Sequence, residues 1–303
     1  MKRIAIIGLG RWGRRLLRVF SNCAQVPVCC NRGPSDACTW VTQHYPDIKM
    51  TFDIDDVFQD ESIDAVAIAT PGATHAELAR RALEARKHVF VEKPLATSLH
   101  DCETLLQLAE SAGRRLFVGH IFFFHPVFER LSELLAVDPV TDAQFLWLKF
   151  GTFGEELIWN LLPHDIALAR VFFGEMPERV TVLERLGIRT AIDVLGVRLD
   201  FGRGLQTCNI HVDRCATHSR KVVRVKTGSG NVFTWDENTL YRLDATAGFL
   251  PILEAAAEPL QSEASRFIKS LDESAPDFLT GAIALDVARI IESIGEGLCG
   301  VGA

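Results

Sequence analysis

A glycine-rich turn near the start of the chain constrains its fold more than any other feature. Residues 3–9 (RIAIIGL) are apolar and rich in isoleucine, GLGRWG occupies 8–13, and apolar residues then recur at helical spacing. A strand, a G-x-G-x-x-G turn and a helix in this order are typical of a dinucleotide-binding turn. Gly8 permits the tight turn, Gly10 lets the backbone approach a pyrophosphate, and Gly13 lets helix and strand pack closely. We expect all six residues of the turn to contact a dinucleotide: Gly8, Leu9, Gly10, Arg11, Trp12 and Gly13.

Short apolar runs alternate with amphipathic segments up to about residue 120. The runs that predict further buried strands are 26–30, 64–69, 88–91 and 115–119, and the predicted helices between them are 37–45, 74–86 and 98–112. Strands that are buried on both faces and alternate with helices favour a parallel sheet with right-handed crossovers. Residues 1–120 are therefore predicted to form a doubly wound α/β domain.

The pattern changes after residue 120, because predicted strands then follow one another with few helices between them. The strands are 143–150, 179–186, 192–201, 205–212, 221–226 and 231–235, and the helices are 126–136, 161–173, 255–272 and 280–298. Such a succession predicts a mainly antiparallel sheet, with hairpin turns at 202–204 and 228–230. Residues 121–303 are therefore predicted to form an α+β domain. Helices on one side leave a sheet face to cover, so we expect a homodimer or homotetramer.

Charge and hydropathy argue against several classes of partner. The 32 basic and 39 acidic residues are mixed along the chain, with a formal net charge of -7, and no basic run could neutralise a line of phosphates, so no nucleic-acid partner is expected. Arg11, Arg14 and Arg15 interrupt the first apolar run too early for a secretion signal. No apolar stretch approaches membrane-spanning length. We therefore expect a cytoplasmic protein.

The eight cysteines fit reduced thiols better than a disulfide framework in such a protein. Cys208, His211, Cys215 and His218 are metal-ligand residue types, but their spacing matches no standard zinc site. On a strand, the odd separation of Cys208 and His211 points them to opposite faces. We expect no metal there.

The end of the second predicted strand bears on the choice between NAD and NADP. An NAD site usually has Asp or Glu at this position to accept from the ribose 2′-hydroxyl. Here the position is held by Cys30 or Asn31, and Arg32 follows. A guanidinium without a nearby carboxylate tolerates a 2′-phosphate. The sequence favours NADP and leaves NAD open.

The predicted strand 88–91 is followed directly by Glu92, Lys93 and Pro94, so a lysine lies at its carboxyl end. Strand carboxyl ends in open α/β sheets are where ligands bind, and a residue before proline is held extended. A lysine so placed can donate to a substrate oxygen or act as a base. By residue type alone, a lysine is more often a solvated surface residue.

These motifs together resemble those of the glucose-fructose oxidoreductase, inositol dehydrogenase and rhizopine catabolism (Gfo/Idh/MocA) family. The resemblance rests on GLGRWG at 8–13, TPGATH at 70–75, EKP at 92–94 and VGH at 118–120, in the family's order. It implies a Rossmann domain followed by an open-faced antiparallel sheet used for oligomerisation. It also implies that Lys93 is catalytic. The residues that it places near the nicotinamide are Thr70, Pro71, Thr74 and His75. Further candidates for cofactor binding are Glu92, Lys93 and Pro94.

The family's second signature is an Asp four residues before a His, which corresponds here to Asn160 and His164. Residues four apart share one face of a helix, so both side chains could meet the substrate. His164 is the candidate general acid or base, with a buried structural histidine as the alternative. An Asn160 amide can orient a hydroxyl but cannot take its proton. The other candidates for substrate binding are Asp165, His120 and His125.

The resemblance implies hydride transfer between a nicotinamide and a ring hydroxyl or ketone of a sugar. WNLLPHD at 159–165 is similar to the version found in relatives that act on amino sugars and nucleotide-linked sugars, so a sugar of that kind is the preferred substrate. A cyclitol or free-sugar dehydrogenase is the alternative. A non-catalytic NAD(P)-binding sensor or scaffold is a further one, because Asn160 replaces an acid.

Overall fold

The structure, a computed structural model, describes residues 1–256, 258–272 and 279–300. The chain forms two compact units. The first contains residues 1–121 together with the described part of 258–285, and the second contains 122–256 and 286–300.

The first unit is built on a six-stranded sheet in which every neighbouring pair is parallel. Its strands are β1 (Ile4–Ile7), β2 (Val28–Cys30), β3 (Lys49–Thr51), β4 (Ala65–Ile68), β5 (His88–Glu92) and β6 (Leu116–Gly119). Their order is β3-β2-β1-β4-β5-β6. The strand order changes direction between β1 and β4, which is the topological switch point. In sheets of this kind, ligands bind in a crevice outside the carboxyl ends of the strands at the switch point. The predicted doubly wound sheet is confirmed.

Helices connect these strands as the alternating pattern predicts. They are α1 (Arg11–Ser21), α2 (Asp36–His44), α3 (Asp55–Phe58), α4 (His75–Glu84) and α5 (Leu99–Ala112), with a short 3-10 turn at Gly72–Thr74 before α4. The short elements β3 and α3 were not predicted. With three and four residues, respectively, they are too short to show a hydrophobic period.

The second unit is built on an eight-stranded sheet. Its strands are β7 (Val140–Leu148), β8 (Arg179–Leu186), β9 (Val194–Phe201), β10 (Gln206–Asp213), β11 (Arg220–Thr227), β12 (Val232–Asp236), β13 (Thr239–Asp244) and β14 (Gly248–Glu254). Their order is β14-β13-β12-β11-β7-β10-β9-β8. All neighbouring pairs are antiparallel except β7 with β10. The predicted, mainly antiparallel sheet is confirmed.

The strands β13 and β14 extend this sheet beyond the prediction. On β14, the residues from Phe249 to Pro251 are all exposed, so the strand lacks the alternation of buried and exposed positions that marks a half-buried strand. Pro251 also argues against a strand, and β14 lies at the edge of the sheet, where proline is tolerated.

Helices α6 (Pro126–Val137), α7 (Leu157–Asn160) and α8 (Leu162–Phe173) belong to the second unit. α8 packs on β7 and β10, and α6 packs on β13 and β14. Ala143 and Phe145 of β7 are buried while Gln144 between them is exposed, so one face of the sheet carries the core. The other face includes exposed Arg224.

Helices α9 (Pro259–Ser270) and α10 (Leu279–Gly300) follow β14. We predicted that all residues after 120 belong to the second domain, but α9 packs against α1 in the first unit. Phe267 of α9 lies between Phe20, Phe90 and Phe117, with ring centroids 6.1, 5.6 and 5.6 Å away. An amphipathic pattern predicts that a helix buries one face, but not which core receives it, so the sequence could not assign α9 to the first unit.

Candidate functional site

The glycine turn after β1 closes in a way that only glycine permits at two positions. Gly8 has a φ of +90°, and a Cβ there would lie 2.8 Å from the Ala69 carbonyl oxygen. A Cβ at Gly13 would lie 1.8 Å from the Gly8 carbonyl oxygen. The start of α1 therefore packs directly on the turn, as the spacing predicts.

The amino terminus of α1 fits an anionic ligand. Its N-cap residue, Gly10, provides no side-chain acceptor, and the first turn contains no acidic residue. A Cβ added at Gly10 would meet no atom within 4 Å, so there is open space against the backbone. Helix N-H groups and the positive end of the helix dipole bind phosphate in such a place. These features fit the pyrophosphate of a dinucleotide.

Asn31 and Arg32 lie directly after β2. The Asn31 side-chain oxygen accepts from the Leu9 N-H at 3.3 Å, and the Asn31 amide nitrogen donates to the Gly33 carbonyl oxygen at 2.7 Å. Asn31 therefore braces the glycine turn from the position where an NAD site usually carries an acid. Arg32 is exposed beside it.

Glu92 is the last residue of β5 and is buried. Its carboxylate accepts a hydrogen bond from the indole N-H of Trp12 in the glycine turn. A Cβ at Gly119 would lie 3.1 Å from the Glu92 carboxylate, so the glycine of VGH leaves room for this side chain. Burial raises the pKa of Glu92 to about 7, against the opposing effects of the Trp12 hydrogen bond and the Lys93 charge.

A second carboxyl group, that of Glu263 on α9, is buried near Glu92. Neither of its oxygens has a hydrogen-bond partner among the described residues. Burial raises the pKa of Glu263 well above its ordinary value, and the charge of Glu92 raises it further. Two buried carboxyl groups that repel each other do not both ionise near neutral pH, so they hold at least one proton between them. No sequence motif pointed to Glu263.

His75 links the TPGATH and EKP segments. Its Nδ1 lies 2.7 Å from the Pro94 carbonyl oxygen, and its Nε2 lies 2.8 Å from the Thr70 carbonyl oxygen. The Thr74 hydroxyl donates to the Thr70 hydroxyl at 2.7 Å, within the same segment. His75 is only 1% exposed, so it holds the two segments together from within the protein.

Lys93 lies directly after β5, and His120 lies directly after β6. Burial and the nearby Lys93 charge lower the pKa of His120 to about 3, so His120 is neutral at physiological pH. The Lys93–Pro94 peptide bond is cis. The predicted residues of the first unit therefore follow the carboxyl ends of β1, β2, β4, β5 and β6, with His75 at the start of α4.

In the second unit, Asn160 ends α7 and His164 lies in the first turn of α8. Leu161 separates the two helices, and its backbone (φ -98°, ψ -45°) stays in the right-handed helical region. Both side chains are mostly buried, at 8% and 9% exposed. The His164 ring lies 5.1 Å from Phe122 and 5.3 Å from Trp147, measured between ring centroids, so its surroundings are aromatic.

Asp165 lies beside His164 on α8 and forms an ion pair with Lys221 of β11. Its side chain is 1% exposed, and that of Lys221 is 17% exposed. Burial raises the pKa of Asp165, and the Lys221 charge opposes this shift. Lys221 could not be predicted from the sequence, because the strand sequence RKVVRVKT contains no motif that sets this lysine apart from its neighbours.

His125 caps the amino terminus of α6. Its Nδ1 accepts from the Val127 N-H at 3.1 Å, and its Nε2 lies 3.2 Å from the side-chain oxygen of Asn238. Its ring lies 5.0 Å from that of Trp235. Burial lowers the pKa of His125. Both ring nitrogens are therefore engaged within the protein.

The cysteine and histidine residues considered as metal ligands lie apart. Cys208 is buried on β10, whereas His211 of the same strand lies 3.4 Å from the carboxylate of Glu184 on β8. Within the described residues, no group of three or more His, Cys, Asp and Glu side chains is arranged to hold a metal ion. The seven cysteines whose side chains are described carry free thiols, and Cys299 lies outside that set. None of the helices in the described part of the chain combines the length and the apolar character needed to cross a membrane.

Comparisons with known proteins agree with this architecture. Residues 2–120 match the Gfo/Idh/MocA description, an oxidoreductase family with an NAD-binding Rossmann fold. The uncharacterized oxidoreductase YdgJ of Escherichia coli (strain K12) is 32% identical over 158 residues, which are 48% of this chain and 45% of that protein. Inositol 2-dehydrogenase of Paracoccus denitrificans (strain Pd 1222) is 32% identical over 151 residues, or 48% and 44% of the two chains. The chain thus spans about half the length of the curated relatives that it matches.

Several solved structures are similar over nearly the whole chain. UDP-N-acetylglucosamine 3-dehydrogenase GnnA from Acidithiobacillus ferrooxidans has a TM-score of 0.88 over 97% of both chains, at 20% identity. At that identity the likeness shows the fold, including the second unit. The sequence match covers the Rossmann unit, where the glycine turn, TPGATH, EKP and VGH lie. Residues 2–120 therefore resemble the NAD-binding domain of the Gfo/Idh/MocA family of oxidoreductases.

Proposed function

We propose that this protein is an NAD(P)-dependent oxidoreductase that interconverts a ring hydroxyl and a ketone on a sugar. The observation that carries the proposal is the gathering of the glycine turn, Glu92, Lys93 and His120 at one edge of the first sheet, with Trp12 joined to Glu92. Convergent polar groups at the switch point of an α/β sheet are the expected setting for a dinucleotide and its substrate.

The glycine turn and the start of α1 would hold the pyrophosphate of the cofactor. A bound nicotinamide supplies the hydride donor or acceptor. Thr70 and Pro71 follow β4, the neighbour of β1, so they are suited to contact the nicotinamide end. His75 is buried behind them and orients both segments through the Thr70 and Pro94 carbonyl groups.

Lys93 is the residue that we assign to the substrate oxygen in the first unit. Its ammonium group can donate a hydrogen bond to a hydroxyl or carbonyl oxygen, which favours charge on that oxygen during hydride transfer. The neutral His120 ring and the buried Glu92 lie close enough to feel the Lys93 charge. They are therefore placed to orient the lysine rather than to exchange protons with the substrate.

Within the second unit, His164 is the residue that we assign as a general acid or base. Imidazole can take the hydroxyl proton on oxidation and return it on reduction. Asn160 orients the same hydroxyl, because its amide donates and accepts hydrogen bonds but does not exchange a proton. Asp165 is buried against Lys221, so we assign it a role behind His164 and not on the substrate.

NADP is the cofactor that the end of β2 favours. Asn31 is engaged with Leu9 and Gly33, and no carboxylate occupies its position to repel a 2′-phosphate. The exposed guanidinium of Arg32 can pair with that phosphate.

For the substrate, we propose an amino sugar or a nucleotide-linked sugar. The support is the WNLLPHD sequence and the fold shared with a UDP-N-acetylglucosamine dehydrogenase. A cyclitol is the alternative, supported by the similarity to an inositol 2-dehydrogenase. The free thiols support a reducing compartment, so we propose the cytoplasm.

A homodimer or homotetramer through the second sheet is part of the proposal. The two edge strands of that sheet expose apolar side chains, including Leu183 on β8 at 58% and Phe249 on β14 at 47%. Large exposed apolar side chains on a sheet with one uncovered face favour burial against another copy.

The experiment is turnover by the purified chain with NADP+ or NAD+ and a panel of nucleotide-linked sugars, free pyranoses and inositols, and with NADPH or NADH and the corresponding ketones. The proposal expects turnover that Lys93→Met lowers by about 100-fold or more while cofactor binding persists. Lys226→Met, an exposed lysine on β11, is the matched control. Cofactor binding without turnover on any member would favour the sensor or scaffold, the function that Asn160 in place of an acid supports.

A further inference from the structure

The ion pair between Asp165 and Lys221 occupies a place where charged groups are costly. Lys221 pairs with Trp147 of the neighbouring strand β7. It lies two and four residues before the buried Val223 and Val225 on β11, so all three side chains are on the same face. Lys221 therefore points to the face that carries the core. Asp165 is also buried, and its Oδ2 has no hydrogen-bond partner among the described residues. A buried pair of this kind usually adds little stability over apolar residues of the same size, so its presence calls for another reason.

The pair and His164 share the same two aromatic rings. Lys221 Nζ lies 3.9 Å from the Trp147 ring centroid and 4.7 Å from the Phe122 ring centroid. The same two rings lie 5.3 and 5.1 Å from the His164 ring. Phe122 meets His164 edge to face at 89°, so it limits how the imidazole can turn. The ammonium is attracted to both ring faces, which keeps the rings in place beside His164.

We propose that the Asp165–Lys221 pair is a positioning pair that fixes the orientation of His164 and keeps the charge beside it balanced. The catalytic part of this inference rests on the function proposed for His164. Neither member of the pair needs to touch the substrate. Asp165 acts from the next position on α8, and Lys221 acts through Asp165 and the two rings.

The charges around His164 make the proposal specific. α7 contributes the neutral Asn160, and α8 contributes Asp165. β11 contributes Lys221, and Lys149 follows β7, with its ammonium 5.6 Å from the Trp147 ring centroid. Burial lowers the pKa of Lys221, and the Lys149 charge lowers it further. With the pair intact, the charges of Asp165 and Lys221 offset each other. Removing one member leaves a net charge of known sign beside the imidazole.

The test is a pH titration of His164 followed by NMR of the histidine side chains in the full chain, with the His164 signal assigned through His164→Gln. Asp165→Asn leaves the Lys221 charge unbalanced, and we expect the titration midpoint of His164 to fall by about one pH unit. Lys221→Met leaves the carboxylate unbalanced, and the midpoint should rise. The double variant Asp165→Asn with Lys221→Met should return the midpoint to within about 0.3 units of the wild type.

Two further variants serve as controls. Lys221→Arg preserves the charge and should preserve the midpoint, whereas Lys226→Met removes an exposed lysine from the same strand and should change nothing. If one single variant does not fold, the other still decides between the outcomes, because each is expected to shift the midpoint in a known direction. Shifts of opposite sign that cancel in the double variant support the positioning pair. Folded single variants with unchanged midpoints would overturn it.

Turnover separates this inference from the proposed function. If the protein is an oxidoreductase that uses His164, the His164-dependent limb of the kcat/KM profile should move in parallel with the NMR midpoint. A protein without turnover in which the midpoints still shift as expected would refute the catalytic role and keep the positioning pair. Turnover with midpoints that do not move would keep the enzyme and overturn the positioning pair.

Discussion

Trp12 in the glycine turn donates its indole N-H to the carboxylate of Glu92, the first residue of EKP. β4 separates β1 from β5 in the sheet, so this hydrogen bond joins two segments that are not on neighbouring strands. The turn that fits a pyrophosphate and the segment that carries Lys93 are thereby tied together. The bond leaves Glu92 partly charged in a buried place, next to Glu263 on α9.

The first prediction concerns that buried carboxyl pair. Burial and the Glu92 charge raise the folded-state pKa of Glu263 above its ordinary value, so folding binds a proton. The free energy of unfolding is therefore highest below the ordinary glutamate pKa of about 4.3. It falls as the pH rises from there to the raised folded-state pKa of Glu263. Glu263→Gln should remove this penalty. We expect it to raise the free energy of unfolding by about 1 kcal/mol or more at pH 8 and by little at pH 4.5.

Urea unfolding at the two pH values measures this difference. Glu110→Gln, an exposed glutamate on α5, serves as the control and should have no effect at either pH. A gain from Glu263→Gln that is the same at pH 4.5 and pH 8 would contradict the assignment of a shared proton.

The second prediction contrasts two glycines of the turn. Gly13→Ala places a Cβ 1.8 Å from the Gly8 carbonyl oxygen and should cost roughly 1–3 kcal/mol of stability as well as cofactor binding. Gly10→Ala meets only open space in the protein, so it should fold normally. If that space receives a pyrophosphate, Gly10→Ala should still weaken dinucleotide binding by about tenfold or more.

Thermal unfolding and cofactor titration of the two variants read these effects separately. A Gly10→Ala protein that binds NADPH and NADH as tightly as the wild type would place the pyrophosphate elsewhere.

The third prediction concerns the choice of cofactor. Arg32 is the cation at the end of β2, where Asn31 is already engaged with Leu9 and Gly33. Arg32→Ser should lower the ratio of NADPH to NADH affinity by about tenfold, because one charge-assisted contact to the 2′-phosphate is lost. Arg130→Ser, which removes a surface ion pair with Glu133, should leave the ratio unchanged. A wild type that prefers NADH would show that Asn31 serves the ribose hydroxyls instead.

The fourth prediction concerns assembly. The wild type should elute at two or four times the 33.6 kDa chain mass in size-exclusion chromatography with light scattering. Leu183→Glu combined with Phe249→Glu places charges on both edge strands and should shift the population toward smaller species. Leu205→Glu, an 84% exposed residue in the turn before β10, is the control. A wild type that elutes as a single chain would refute the proposed assembly.

The parts of the fold that a local pattern encodes were predictable from the sequence. The spacing of the glycines predicts the close approach of helix and strand at Gly13, and continuous apolar runs predict β1, β4 and β5. The family motifs select Lys93 and His164 as candidates, and their roles stay predictions. The three residues of β3 are too short to show a period, and α9 shows that it buries a face without showing that Phe267 joins the core of the first unit.

The sequence could not predict which side chains pair with each other, for a different reason. Lys221 and Asp165 are 56 residues apart, and their pairing depends on the register of β11 against β7 and on the packing of α8. Glu263 likewise looks like any polar residue of an amphipathic helix until α9 is seen to bury it near Glu92. His125 reads equally well as a pocket residue and as a turn residue, and only the backbone of α6 shows it to be a cap.

The central claim is that the glycine turn of the first unit holds a nicotinamide dinucleotide. Titration of the purified protein with NADPH and with NADH, followed through quenching of tryptophan emission and energy transfer to the reduced nicotinamide, tests it most directly. The account predicts saturable binding that is tighter for NADPH and is lost in Gly13→Ala, together with turnover that depends on Lys93. Failure of the folded wild type to bind either dinucleotide would contradict it.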